Sequence, residues 1–395
     1  MSEIKPIITS LIDNDLYKLT QMQAVSKKFP YARVSYEFIN RGKTEFPENF
    51  GEELRKQVKH METLRLTNEE KEFLKSKCYY LDPVFIDLFS SYRYNSSEVG
   101  IIQKGGELQI SIEGWWFRTI LWEVPLMALI SELYFKMTNQ TIDERIDREE
   151  NNKGKANVFF HNSLHHADFG TRRRYSLENQ IEVVKDLIEY KLHNELFVGT
   201  SNMYIAFLFN LTPIGTHAHE WFMFHAAKYG YTMANHLAME NWTDVYRGDL
   251  GIALSDTFTT EVFFKSFDKK FAKLYDGVRQ DSGDPRIFAD KTIAHYKQLG
   301  IDPLTKTIVF SDNLNPNSAV ELKDYCRGKI KCSFGIGTNL SNDIGVKPLN
   351  MVIKLISAKP EGEEWQDCIK LSDSPGKYTG NPEEIKIAKQ ILKIK

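Results

Sequence analysis

Two histidines separated by a single residue, His217 and His219 in GTHAHEW (residues 215–221), are a prominent feature of this sequence with chemical potential. In an extended segment successive side chains alternate faces, so both imidazoles would point the same way. That arrangement suits a metal site, a general base with a helper, or a nucleophilic imidazole held by its neighbours. GVRQDSGDP (277–285) adds Arg279, a planar fork for a phosphate or carboxylate, and Asp281 and Asp284 on a glycine-kinked loop, able to hold ribose hydroxyls or a divalent cation. In FGIGT (334–338), Gly335 and Gly337 open backbone N–H groups to an anion and Thr338 adds a hydroxyl. FGTRRR (169–174) carries three consecutive arginines, and SDN (311–313) and LSDTF (254–258) supply further acids. Each has a plainer reading taken alone: paired core histidines, a tight turn, a solvated acidic loop, a solvated cationic face. Together they suit a substrate with both phosphates and a sugar. A phosphate-substrate enzyme therefore ranks ahead of a zinc hydrolase using the HxH pair with His161, His165, His166 and Asp168, and ahead of a ligand-binding barrel without activity.

The elements that must position these residues change character along the chain. DNDLYKLTQMQAVSKKF predicts a helix, with an Asp or Asn cap and Leu16, Leu19 and Met22 at helical spacing. The strand ARVSYEFINR follows, then a mixture of helix (TNEEKEFLKSKC, EVPLMALISELYFKMT) and strand (ELQISIEGWWF) resembling an α+β unit. TIDERIDREENNKGKAN predicts a helix ending at a polar boundary near residue 155. From there to about 345, short apolar runs before Gly, Ser, Asp or Asn alternate with helical patterns such as LENQIEVVKDLIEYKL, and LTPIGTHAHE is read as one of the runs. This grammar predicts a β/α barrel or an open parallel sheet, in which the loops after the strands build the site. The expected division is residues 1–150 with 345–395 as one discontinuous α+β domain and 151–344 as the barrel.

Composition narrows the partners. A formal charge of -2 over 395 residues gives no electrostatic case for nucleic acid or an anionic membrane. No apolar run reaches the ~18 residues of a membrane-spanning helix. Cys78, Cys326, Cys332 and Cys368 are widely spread without a CxxC pair, and no signal peptide is evident, so reduced thiols in the cytoplasm are expected.

TSLIDNDLYKLTQMQAV, YEFINRG, FGTRRR, FVGTSN, PIGTHAHEW, GVRQDSGDP and FGIGTNL, in this order over residues 9–340, together resemble the nicotinate phosphoribosyltransferases. The resemblance implies an irregular β/α barrel of the type II phosphoribosyltransferase kind beside an α+β domain made of both chain ends. It implies transfer of phosphoribose from phosphoribosyl pyrophosphate to nicotinate, coupled to ATP hydrolysis, with Mg2+ on the leaving pyrophosphate and protein ligands for the metal left unknown. It assigns phosphorylation to His219, with His217 inessential; ribose or Mg2+ to Asp281 and Asp284; the 5′-phosphate to Gly335, Gly337 and Thr338; and anionic groups to Arg172 and Arg279, with Arg173 or Arg174 in place of Arg172 if the register slips. It further implies a homodimer with composite sites, in which Tyr17 stacks on the pyridine ring in the neighbouring barrel. Nicotinamide phosphoribosyltransferase is the near rival, and Thr200, Ser201 and Asn202 of GTSN, as neutral donors, favour a carboxylate substrate instead.

Overall fold

The computed structural model describes residues 4–190, 195–374 and 376–394, so the last two residues of the helical pattern LENQIEVVKDLIEYKL lie outside them. Two sheets organise the chain. The first has five strands in the order β11-β10-β1-β3-β2, comprising β1 (Arg33–Ile39), β2 (Val99–Lys104), β3 (Glu107–Trp115), β10 (Val352–Lys359) and β11 (Gln366–Asp367), all antiparallel. It is woven from both chain ends, with β10 paired to β1 along its whole length from Arg33 opposite Lys359 to Ile39 opposite Val352.

The second sheet is parallel, in the order β5-β4-β9-β8-β7-β6: β4 (His166–Asp168), β5 (Phe197–Thr200), β6 (Ile252–Leu254), β7 (Gly277–Gln280), β8 (Thr307–Phe310) and β9 (Lys331–Ile336). Its strands are short and largely buried, as parallel strands covered by helices on their faces must be. The end strands β5 and β6 do not pair among the described residues, which leaves the barrel irregular. FGTRRR, the SN of GTSN, DSGDP, SDN and the GT of FGIGT all follow the carboxyl ends of these strands.

Three local readings are corrected. The expected helix to residue 155 is Arg148–His161, started by Asp147 accepting from the Glu150 amide, so NVFFH continues a helix and only His166–Asp168 is strand. LTPIGTHAHE forms no strand: irregular backbone runs to Ala218, and His219 opens the helix His219–Tyr229. Asp15 precedes the first helix, Leu16–Lys28, but does not cap it with its side chain. Its carboxylate instead accepts from Ser201 Oγ at 2.8 Å, while the Leu16 amide donates to the Ser201 carbonyl at 2.8 Å. These contacts pin the N-terminal helix to the end of β5, and β10 packs against the helix His219–Tyr229. The two sheets therefore meet over the barrel mouth.

Candidate active site

A cavity of about 450 Å3 occupies that meeting place, within the range of small-molecule sites. The barrel contributes Arg172, Arg173, Ser201, His219, Arg279, Asp281, Gly335, Gly337 and Thr338; Tyr36 and Lys354 come from the other sheet, Tyr17 from the N-terminal helix, and Asp15, Arg41 and Lys370 from the segments next to them.

His219 lies at the cavity wall in a net of charges. Its Nε2 is 2.8 Å from Asp256 Oδ1 and 3.5 Å from Asp281 Oδ2. The other oxygen of Asp256 accepts from Ser282 Oγ at 2.6 Å and from Lys370 Nζ at 3.0 Å. Burial and the Lys370 ammonium push the imidazole down to about 4, against the pull of Asp256, so it is neutral at physiological pH. Asp256 is held well below the carboxylate range: burial raises it, but Lys370 and His219 outweigh that. A neutral ring facing a carboxylate through Nε2 places its proton there, leaving the lone pair on Nδ1. We expect the His219 ring in the free protein to stay neutral from pH 8 to pH 5 in histidine-resolved NMR. A midpoint near 6.5 would contradict this environment.

His217 does not join it. Its ring is buried against Phe222 and Trp242, with centroids 5.1 and 4.8 Å away, and neither ring nitrogen has a hydrogen-bond partner. The alternation argument fails because this backbone is irregular and turns into a helix at His219. The HxH metal pair is thereby corrected. Among the described residues, the group of potential metal ligands is His219, Asp256 and Asp281.

The remaining expected residues divide. Asp281 lines the cavity, accepts from Ser311 Oγ at 2.9 Å, and is held below its ordinary range by Arg279 and His219 despite burial. Arg279 reaches the cavity with a buried Nε that has no protein partner. Asp284 is corrected: it is exposed and caps the helix Pro285–Gln298 by accepting from the Arg286 and Ile287 amides, beside a different cavity. Arg172 faces the site with Nη1 3.6 Å from Glu123 Oε1, and Arg173 lines it too. Arg174 is excluded as their substitute, being wholly buried against Asp13 and Glu132 at 2.7 and 2.8 Å. Of GTSN only Ser201 lines the cavity. Thr200 Oγ1 donates to Asp168 and Asn202 Nδ2 to Asp13, both at 2.7 Å, so the two are corrected to structural roles.

Tyr17 lies in the cavity of its own chain, with Gly215 packed against its backbone. That placement corrects the expectation that it serves a neighbouring barrel. It follows from the attachment of the Leu16–Lys28 helix to β5 of the same chain. Gly335, Gly337 and Thr338 line the cavity as expected, but Gly335 has a packing reason: a Cβ there would meet the Phe169 ring at 2.3 Å. Gly335→Ala should cost about 1–3 kcal/mol by overpacking, read as a lower denaturant midpoint. An unchanged midpoint would show that Phe169 has room to move.

The profile of the nicotinate phosphoribosyltransferase (NAPRTase) family matches residues 164–395, and that of the family's N-terminal domain matches residues 12–131. The chain belongs to the nicotinate phosphoribosyltransferase family. A nicotinate phosphoribosyltransferase from Chromohalobacter salexigens is 54% identical over 388 residues, covering 98% of this chain and 99% of its own. One from Desulforapulum autotrophicum is 51% identical over 382 residues, covering 96% and 97%. The crystal structure of nicotinate phosphoribosyltransferase from Porphyromonas gingivalis superposes with a TM-score of 0.95 at 45% identity, covering 98% of this chain and all of the other. The irregular barrel with an α+β unit from both chain ends is thus the fold of this nicotinate phosphoribosyltransferase family member.

Sequence reasoning missed residues of this family member that line the cavity or stand behind its wall. Asp256 was noticed only as one acid in LSDTF, although an acid just beyond a barrel strand was a usable signal. Lys354 and Lys370 had none, since they come from the C-terminal part of the chain, more than 130 residues after His219. Burial pushes Lys354 down to about 8, with Glu123 opposing, which leaves a poised cation on the wall.

Proposed function

We propose that the chain transfers phosphoribose from phosphoribosyl pyrophosphate to nicotinate, and that ATP drives the reaction by phosphorylating His219. The observation that carries this reading is the neutral His219 ring, anchored through Nε2 to Asp256 in the same cavity as Arg172, Arg279 and Tyr17. In the phosphorylation step Nδ1 attacks the γ-phosphorus, the bond to the bridging oxygen breaks, and ADP leaves. Asp256 steadies the positive charge that develops on the ring, and Lys370 keeps Asp256 ionised. In the transfer step the ring nitrogen of nicotinate uses its own lone pair on C1′ while the bond to pyrophosphate breaks. No general base is required, and electrostatic stabilisation of the oxocarbenium-like state and its leaving group carries the barrier.

The cavity residues fit these tasks. Arg279, with its unpartnered Nε, suits a phosphate, and the loop of Gly335, Gly337 and Thr338 suits the 5′-phosphate. Asp281 and Ser311 face the ribose. Asp281, ionised and partly exposed beside the phosphate-binding groups, also fits Mg2+, which takes few protein ligands and would neutralise pyrophosphate charge. Tyr17 offers an aromatic face to the pyridine ring, and Arg172 a fork to its carboxylate.

Arg172→Ala should raise the KM for nicotinate about 10- to 150-fold, the equivalent of losing a ~1.5 to 3 kcal/mol charge-assisted contact, with a smaller effect on phosphoribosyl pyrophosphate. Equal losses for both substrates would remove Arg172 from the carboxylate. The reading as a whole is tested by incubating purified protein with phosphoribosyl pyrophosphate and Mg2+, with nicotinate or nicotinamide, with and without ATP. Nicotinate mononucleotide is the expected product, and ATP increases its yield. Nicotinamide mononucleotide alone would favour the rival substrate.

A further inference from the structure

From Arg172, at the carboxylate end of the cavity, a chain of three buried charges that the proposed chemistry does not use, Glu123, Lys18 and Glu220, runs to the helix of His219. Arg172 is 3.6 Å from one oxygen of Glu123, and the other oxygen of Glu123 is 2.6 Å from Lys18 Nζ. Lys18 is wholly buried and is shared with Glu220, which pairs with it through Oε1. The second oxygen of Glu220 accepts from Tyr36 Oη at 2.6 Å. Glu220 is the neighbour of His219 in the first turn of its helix. Lys18 also lies 5.4 Å from the centre of the Tyr17 ring. Four charges of alternating sign thus join the N-terminal helix, the helix Glu123–Met137, the arginine loop and the helix of His219.

A lysine this buried is an expensive way to hold two helices together. Apolar residues of similar volume commonly stabilise as well or better, and a shared charge has two partners between which its position can be biased. From this geometry we infer that Lys18, with Glu123 and Glu220, is a positioning device that couples occupancy of the Arg172 end of the cavity to the phosphorylation state of His219. A carboxylate ligand on Arg172 weakens its hold on Glu123, Glu123 then draws Lys18 closer, and Glu220 is released to lean on Tyr36. The first turn carrying His219 shifts with it. The effect is reciprocal, so phosphate on His219 biases affinity for the carboxylate ligand by the same factor. This inference rests on the reading of His219 as phosphoryl acceptor and of Arg172 as carboxylate receptor.

The test is an equilibrium measurement on the full chain. At a fixed ratio of ATP to ADP, without phosphoribosyl pyrophosphate, the fraction of chain carrying acid-labile phosphate is measured with and without saturating nicotinate. Wild type should show the phosphoenzyme-to-free ratio change by about 5- to 150-fold on adding nicotinate. In Glu220→Gln, which keeps an acceptor for Tyr36 and leaves Lys18 paired with Glu123, that factor should fall to about 1 to 2 while phosphoenzyme still forms. Lys18→Met should do the same; if it does not fold, Glu123→Gln takes its place. A merely structural role would lower stability without moving the factor. Variants that retain the wild-type factor overturn the relay while leaving the proposed function intact. No phosphoenzyme in wild type would instead overturn the reading on which the relay rests, and a wild-type factor of 1 would overturn the relay itself.

Discussion

His219→Asn is expected to abolish phosphoenzyme formation and to lower ATP hydrolysis by about 10^4-fold or more, because a covalent acceptor has no partial substitute. Formation of nicotinate mononucleotide should persist at the rate wild type shows without ATP. The persistence follows from the proposed division of labour among the residues that line the cavity: the oxocarbenium step would draw on Arg279, Asp281 and the loop of Gly335, Gly337 and Thr338, not on the imidazole. Phosphate transfer from ATP at the wild-type rate would mean that another group accepts it. His217→Gln should leave phosphorylation in place, since its ring is enclosed by Phe222 and Trp242.

Asp256→Asn is the second large effect. Asparagine can still approach Nε2, but it supplies no charge and does not fix the tautomer, so phosphorylation should slow by about 10^2- to 10^4-fold. The same change leaves Lys370 buried beside a neutral partner, at a cost of about 3–5 kcal/mol in stability. These consequences are separable. Adding Lys370→Met should recover much of the melting temperature and none of the phosphorylation rate. Recovery of both together would reduce Asp256 to a structural ion pair.

Much of the barrel was legible because parallel strands buried on both faces leave short apolar runs, and polar loops after them mark the site. VRQDSGDP and FGIGT were read at their correct strand ends for this reason. The errors have physical causes. The alternation rule for His217 and His219 presupposed a strand that irregular backbone replaced. Asp284 resembled Asp281 in sequence, but the proline after it starts a helix whose free amides claim its carboxylate. Thr200 and Asn202 have the donors expected of them, spent on the buried acids Asp168 and Asp13. The triple arginine could not be resolved by pattern, because what separates Arg174 from Arg172 is the location of Asp13 and Glu132, over 150 and about 40 residues away. The direction in which Tyr17 acts depends on which β5 its helix attaches to, a tertiary contact between segments 186 residues apart, Asp15 with Ser201.

Phosphate in transit from ATP through His219, while the cavity joins phosphoribose to nicotinate, is the core of the proposed mechanism. It is tested most directly by isolating the protein after reaction with γ-labelled ATP and Mg2+, then adding nicotinate and phosphoribosyl pyrophosphate. Close to one acid-labile phosphate per chain is expected on His219 Nδ1, absent in His219→Asn, with its release as inorganic phosphate as nicotinate mononucleotide appears. Label that is acid-stable, that maps to another residue, or that remains bound while product forms would contradict it.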